Sequence, residues 1–337
     1  MRIAIVGAGA VGSVVAGYLL ERGEHEIALL ARGAHLAAVR ARGLTVVSRG
    51  REFHSRPRAS DVPAELGRQD LLLVTAKAHA LPGLAPALAP MIGPQTLVVS
   101  AQNGIPWWYF HGETGAEAET PLETVDPGGT IWRGIGPERA VGCVIYVPAH
   151  LAAPGVAHHD GVLRLIVGAP RAGDHEAPLQ ALAAALNEAG IEAEATDRIR
   201  QALWGKLLLN SATATLSVLT GGTIGQIQAG PGMRAIRARL MRESLATARA
   251  WGIDLADTVD AQLAAGSSAA GHKPSMLQVY EAGRPLELDA IVAAVIDLAH
   301  RRQVPVPTIE TLWSTLLVKL ATESYPVGRG TAAASIG

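Results

Sequence analysis

Apolar positions in the first two hundred residues follow two rhythms. Short blocks at Arg2 to Val6, Glu26 to Leu30, Asp70 to Thr75 and Thr96 to Ser100 read as buried strands, while Gly12 to Leu20 carries an Ala/Val/Leu pattern of helical period. Strand candidates return at Val141 to Val147, Gly155 to His159 and Val162 to Gly168, before a helix over Pro178 to Ala189. This alternation predicts an α/β first domain with a mostly parallel, open sheet. After Asp197 the pattern changes to long Ala/Leu stretches of helical period without a strand, so an all-α domain follows, with Thr196-Asp197 as its expected helix start. The expected division is residues 1–196, 197–325 and a C-terminal tail 326–337.

The run from Ile3 to Leu20 is long enough to imitate a signal peptide or a membrane span. Four glycines and Ser13 interrupt it, and Glu21-Arg22-Gly23 closes it as a helix end, so it reads as strand, turn and helix. A length of 337 residues supports two domains that each bury a core. With 29 basic and 30 acidic residues, no broad electropositive surface is available for a nucleic acid or an anionic membrane. The expected partner is therefore a small molecule. Cys143 is the only cysteine and cannot form an intrachain disulfide, which fits a reducing, cytoplasmic setting and a buried apolar role.

Candidate chemistry begins at Gly7-Ala8-Gly9-Ala10-Val11-Gly12, between the first strand and the first helix. There Gly7 makes the sharp turn, Gly9 lets backbone approach a pyrophosphate, and Gly12 lets helix lie close on strand. The helix N-terminus supplies free amides to the anion. At the end of the second strand, where an acidic residue would bind the ribose hydroxyls of NAD, stands Arg32, which suits a 2′-phosphate and so NADP(H). Lys77 and Asn103 leave two further strands at their C-terminal ends, the edge where open parallel sheets bind ligands, so Lys77 is a candidate for a cofactor phosphate and Asn103 for the nicotinamide ribose or the substrate. Trp107-Trp108-Tyr109-Phe110 reads first as core packing, and secondly as a pocket wall. His79 reads as a loop residue, and His158-His159 lacks partners at metal spacing, so no metal is assigned.

In the second half, Lys206 and Asn210 are four residues apart, on one helix face, where they can meet one ligand. Trp204 and the leucines around Lys206 suggest a partly buried ammonium that needs a partner. Pro274 and Pro285 mark element starts or turns beside Ser275 and Glu287. The apolar stretch Leu286 to Ala299 reads either as core or as a homodimer face.

Taken in order, Gly7 to Gly12, Arg32, Ala76-Lys77, Gln102-Asn103-Gly104, Trp204-Gly205-Lys206 with Asn210, and Ser275-Met276 with Glu287-Leu288-Asp289 resemble the ketopantoate reductase family over nearly the whole chain. The resemblance implies a Rossmann domain followed by a helical domain of the 6-phosphogluconate-dehydrogenase type. It implies NADPH-dependent reduction of 2-dehydropantoate to pantoate, a step of pantothenate biosynthesis, or reduction of a close 2-keto acid. Lys206 would be the proton donor and Glu287 would lie beside it near the cofactor ribose. Asn210 and Ser275 would touch substrate, Asn103 both substrate and cofactor, and Ala149 would contact the cofactor through its backbone. Arg32 and Lys77 match the 2′-phosphate contacts. The sequence departs from the family pattern at Ala214, where an asparagine is common, at Val279 after Gln278, at Val292-Ala293, and in a longer stretch from Trp107 to Arg133. These departures alter substrate-positioning groups and leave open an oxidative hydroxyacid or sugar-acid dehydrogenase. A non-catalytic NADP(H) sensor, prompted also by aromatics that look exposed, is the third reading.

Overall fold

In the computed structural model the strand blocks of the first half assemble around β1 (Arg2–Val6), whose residues from Ile3 onward are buried. The structure describes residues 1–256, 259–264, 271 and 273–326, so the expected tail beyond Pro326 lies outside the described residues. The chain forms two compact units, Met1–Gln102 with Pro106–Ile199, and Asn103–Ile105 with the residues from Arg200 onward.

The first unit contains β2 (Glu26–Leu30), β3 (Leu44–Ser48), β4 (Arg51–Ser55), β5 (Arg58–Ser60), β6 (Leu71–Val74), β7 (Leu97–Ser100), β8 (Ala140–Tyr146), β9 (Ala149–Ala153), β10 (Val156–His159), β11 (Arg164–Gly168) and β12 (Glu192–Ala195). Its helices are α1 (Ala10–Arg22), α2 (Gly33–Arg42), the single turns α3 (Pro63–Leu66) and α4 (Leu81–Leu84), α5 (Thr130–Ile135) and α6 (Glu176–Glu188). An eight-stranded sheet runs β12-β11-β8-β7-β6-β1-β2-β5, parallel throughout except for the β8–β11 pair. After β2 and β5 the chain crosses to the other side of β1 to form β6, which makes the C-terminal ends of β1 and β6 the switch point of the sheet.

A second sheet, β4-β3-β10-β9, packs on α1 and was not anticipated from sequence. Two glycines let α1 lie between both sheets. A Cβ on Gly12 would sit 2.7 Å from Ile5 Cγ2, and one on Gly17 would sit 2.4 Å from Val46 Cγ2. Arg49 and Gly50 both take positive φ, which closes the β3–β4 hairpin. Beneath this sheet runs a buried polar chain: Tyr18 Oη lies 2.7 Å from Ser48 Oγ, which lies 2.8 Å from His159 Nδ1. His159 Nε2 donates to the Val162 carbonyl. Each buried polar group is thus satisfied, and His159 serves the core.

The stretch after Ile105 corrects the impression of exposed aromatics. Trp107, Trp108, Tyr109 and Phe110 are all buried, and the Trp107 indole N–H donates to Ser100 Oγ at 3.0 Å. Trp107 and Trp132 meet edge to face. Asp126, fully buried, accepts from the N–H groups of Ile131 and Trp132 at 2.7 and 2.8 Å and so caps α5. Burial raises the affinity of its carboxyl for a proton although both donors oppose this.

The second unit is helical: α7 (Ile199–Thr220), α8 (Ile224–Ala229), α9 (Pro231–Ala250), α10 (Val259–Ala264), α11 (Ser275–Glu281), a π-type turn Asp289–Ala293, α12 (Ala294–Arg301) and α13 (Pro307–Thr322). The helix expected at Thr196-Asp197 starts at Ile199, because Thr196 Oγ1 accepts from the Arg198 N–H in a local turn. Leu286 to Ala299 is not one helix. It enters through a loop and widens into the π-type turn, and most of its apolar residues are buried within the chain. Ser211 and Ser244 meet at 3.1 Å where α7 packs on α9, and Glu243 caps α13 by accepting from Thr308 and Ile309 N–H. Among the described residues no helix is long and apolar enough to cross a membrane.

Candidate active site

In the first unit the glycine turn leaves β1 and enters α1, a helix without an acidic side chain in its first turn. Gly7 has φ +87°, and a Cβ there would lie 2.6 Å from the Ala76 backbone, so only glycine lets this turn meet the end of β6. At Gly12 a Cβ would sit 2.4 Å from Thr75 Oγ1, which donates to the Gly7 carbonyl. Gly9 differs: a Cβ there would find only the Gly7 carbonyl, at 3.9 Å. The space over Gly9 and the free amides of Ala10, Val11 and Gly12 is what a pyrophosphate requires, so the chain's residues fit a dinucleotide.

Arg32 is exposed at the end of β2 and precedes α2, and Lys77 is exposed just past the end of β6. Ala149 opens β9 in the second sheet. Three neighbours of this cradle were given no role by the sequence. Gln102 donates to the Ala76 carbonyl at 2.8 Å, tying the end of β7 to the end of β6. Thr75 braces the glycine turn. His35 accepts from the Gly155 N–H through Nδ1 at 3.2 Å and meets Ser13 Oγ through Nε2 at 3.3 Å, while burial lowers its proton affinity.

In the second unit the half-buried Lys206 donates from Nζ to Asn103 Oδ1 at 2.7 Å. Asn103 is placed by its successors. Gly104 has φ +90° and a Cβ there would lie 2.4 Å from the Ala290 carbonyl, which accepts from the Ile105 N–H at 2.7 Å. The acceptor belongs to the π-type turn, a widened helical turn of the kind that recurs at functional sites. Asn210 lies one turn beyond Lys206 on α7, half-buried. Ser275 is the exposed first residue of α11, and Glu287 is buried just ahead of the π-type turn. Asp289, in that turn, is raised to about 6 by burial. Thus Asn103 and Lys206 are joined directly, whereas Asn210 shares α7 with Lys206, and Ser275 and Glu287 lie on other elements of the same unit.

A dinucleotide cradle in an open parallel sheet, followed by a helical unit presenting a lysine and an amide, defines a nicotinamide-dependent oxidoreductase. The profile of the ketopantoate reductase PanE/ApbA family matches residues 3–172, and the profile of its C-terminal region matches residues 198–319. A 2-dehydropantoate 2-reductase of Mesorhizobium japonicum is 40% identical over 323 residues, covering 96% of this chain and 98% of the relative. Among solved structures, a candidate ketopantoate reductase of Ralstonia solanacearum shares 36% identity with TM-score 0.89, covering 96% of this chain and 99% of that one. The 2-dehydropantoate 2-reductase of Geobacter metallireducens shares 30% with TM-score 0.82, covering 95% and 99%. The chain belongs to the ketopantoate reductase family, and is accordingly an NADP(H)-dependent oxidoreductase acting on CH–OH groups.

Proposed function

We propose that the chain reduces 2-dehydropantoate, or a close branched 2-keto acid, to the 2-hydroxy acid with NADPH, and that Lys206 supplies the proton. The reading is carried by the Lys206–Asn103 pair in a member of a family whose relatives are 2-dehydropantoate 2-reductases. Reducing a ketone needs a hydride on carbon and a proton on oxygen, and the bound nicotinamide supplies the hydride. Lys206 has three N–H donors. One is held by Asn103 Oδ1, which fixes the side chain so that the amine can meet the substrate carbonyl oxygen. A positive charge there stabilises the developing alkoxide and delivers the proton. Glu287 favours the charged form of the amine, and Asn210 and Ser275 hold the substrate carboxylate or hydroxyl in line.

Gly7, Ala8, Gly9, Ala10, Val11 and Gly12 hold the pyrophosphate, Arg32 and Lys77 the 2′-phosphate, Asn103 and Glu287 the nicotinamide end, and the Ala149 backbone makes a further cofactor contact. Ala214 and Val292 are both buried and apolar, so neither offers a substrate a polar group. The helical core needs no second copy to cover Leu286 to Ala299, so a homodimer would use another face.

Following NADPH consumption over a panel of 2-keto acids tests the assignment. Turnover is expected for 2-dehydropantoate or an apolar branched analogue, and Lys206→Ala is expected to lower kcat about 10²- to 10⁴-fold while leaving NADPH binding in place. No turnover of any keto acid, or full activity in the variant, overturns it.

A further inference from the structure

Helix α9 carries five arginines and one carboxylate. That carboxylate, Glu243, is committed to the start of α13. Arg242 pairs with Asp260, and Arg249 donates to the Leu255 carbonyl. Arg234, Arg237 and Arg239 make no ion pair with any described residue. For Arg234 and Arg239, both exposed, water suffices. Arg237 is different. Only 3% of it is exposed, and its buried Nε has no hydrogen-bond partner among the described residues. It lies on the buried face of α9, two turns before the Ser244 that packs on Ser211.

Removing a guanidinium from water without an acceptor is strongly unfavourable, and an arginine does not escape the cost by losing its proton in the accessible range. Burial does lower its proton affinity, and no described carboxylate opposes that effect. What the site lacks is a planar pair of oxygens matching the guanidinium fork. The surplus positive charge of α9 favours an anion nearby. Arg234, one turn earlier, lines an open groove of about 460 Å³ together with Ala238, Leu263 and the ion-paired Arg242 and Asp260.

We propose that Arg237 anchors a binding site in the helical unit for a small oxyanion of the carboxylate or phosphate class, using no residue assigned to the reduction. The ligand pairs with the guanidinium and stabilises the folded unit by mass action.

The test is thermal unfolding of the full chain with saturating NADP+, so that the nucleotide site is already filled. Inorganic phosphate is titrated in one arm and acetate in the other, at ionic strength held constant with chloride. The wild type is expected to gain several degrees in Tm, saturably, and the arm that saturates at lower concentration identifies the class. Arg237→Met should lose the gain and be at least as stable as wild type without anion, whereas Arg239→Met should keep the gain. If Arg237→Met fails to fold, Arg237→Lys keeps the charge without the fork and should need at least tenfold more anion for the same rise. An unchanged titration in Arg237→Met or Arg237→Lys, or no gain in the wild type, overturns the proposal. So does stability that rises with protein concentration in the absence of added anion, which assigns Arg237 to a carboxylate of a second copy.

Discussion

Gly7 and Gly9 belong to one turn but answer to different constraints. A methyl on Gly7 collides with the Ala76 backbone and needs a φ that L-residues rarely adopt, whereas one on Gly9 meets almost no protein. Gly7→Ala is therefore expected to lower stability by more than about 1 kcal/mol, seen as a fall in Tm. Gly9→Ala should leave Tm close to wild type and raise the KM for NADPH severalfold or more, because the methyl enters the space a pyrophosphate would use. A Tm loss in Gly9→Ala equal to that in Gly7→Ala would remove this distinction. The glycine spacing made the turn legible from sequence. The contacts of Thr75, Gln102 and His35 were not, because their partners lie far along the chain and no local rhythm encodes a contact at that separation.

At the scale of elements, β1, β2, β6, β7 and β8 were readable because burial on both faces makes each a short apolar block, whereas the partly exposed edge strands β5 and β12 were not. The second sheet escaped notice because β3 alternates buried and half-buried positions and β4 and β9 are largely exposed, so neither rhythm is strong. The π-type turn was also invisible, since widening a helix by one residue leaves its apolar pattern nearly intact. It makes a pH-dependent element. Burial raises Asp289 to about 6, above its unfolded value, so the folded state favours the protonated carboxyl. Its stabilising contribution is complete below the ordinary aspartate range and is lost as pH rises through about 6. Asp289→Asn, which stays neutral, should raise Tm relative to wild type at pH 8, with the gain vanishing near pH 4. A gain independent of pH would remove burial of the charge as its cause.

For the whole molecule, a change from alternating strand and helix to continuous helical period marked two units, and ordered motifs along both marked the family. What a linear reading divided at one point, the fold divides at three. Asn103, Gly104 and Ile105 lie between strands of the first unit in the chain, yet group with the helices. Lys206 takes its hydrogen-bond acceptor from that borrowed segment. A chimera joined at residues 199 and 200, with each half from a different family member, is expected to recover less activity than one in which residues 103–105 come from the parent of the helical half. Steady-state kcat of the two hybrids, with matched Tm, checks this. Equal kcat would show that the segment is interchangeable.

The dependence of Lys206 on a residue encoded a hundred positions upstream also constrains how such enzymes can diversify. Gene exchange that swaps one half for another separates the amine from the amide that steadies it, so new specificities within this scaffold are reached more readily by point changes along α7 and α11 than by shuffling whole domains.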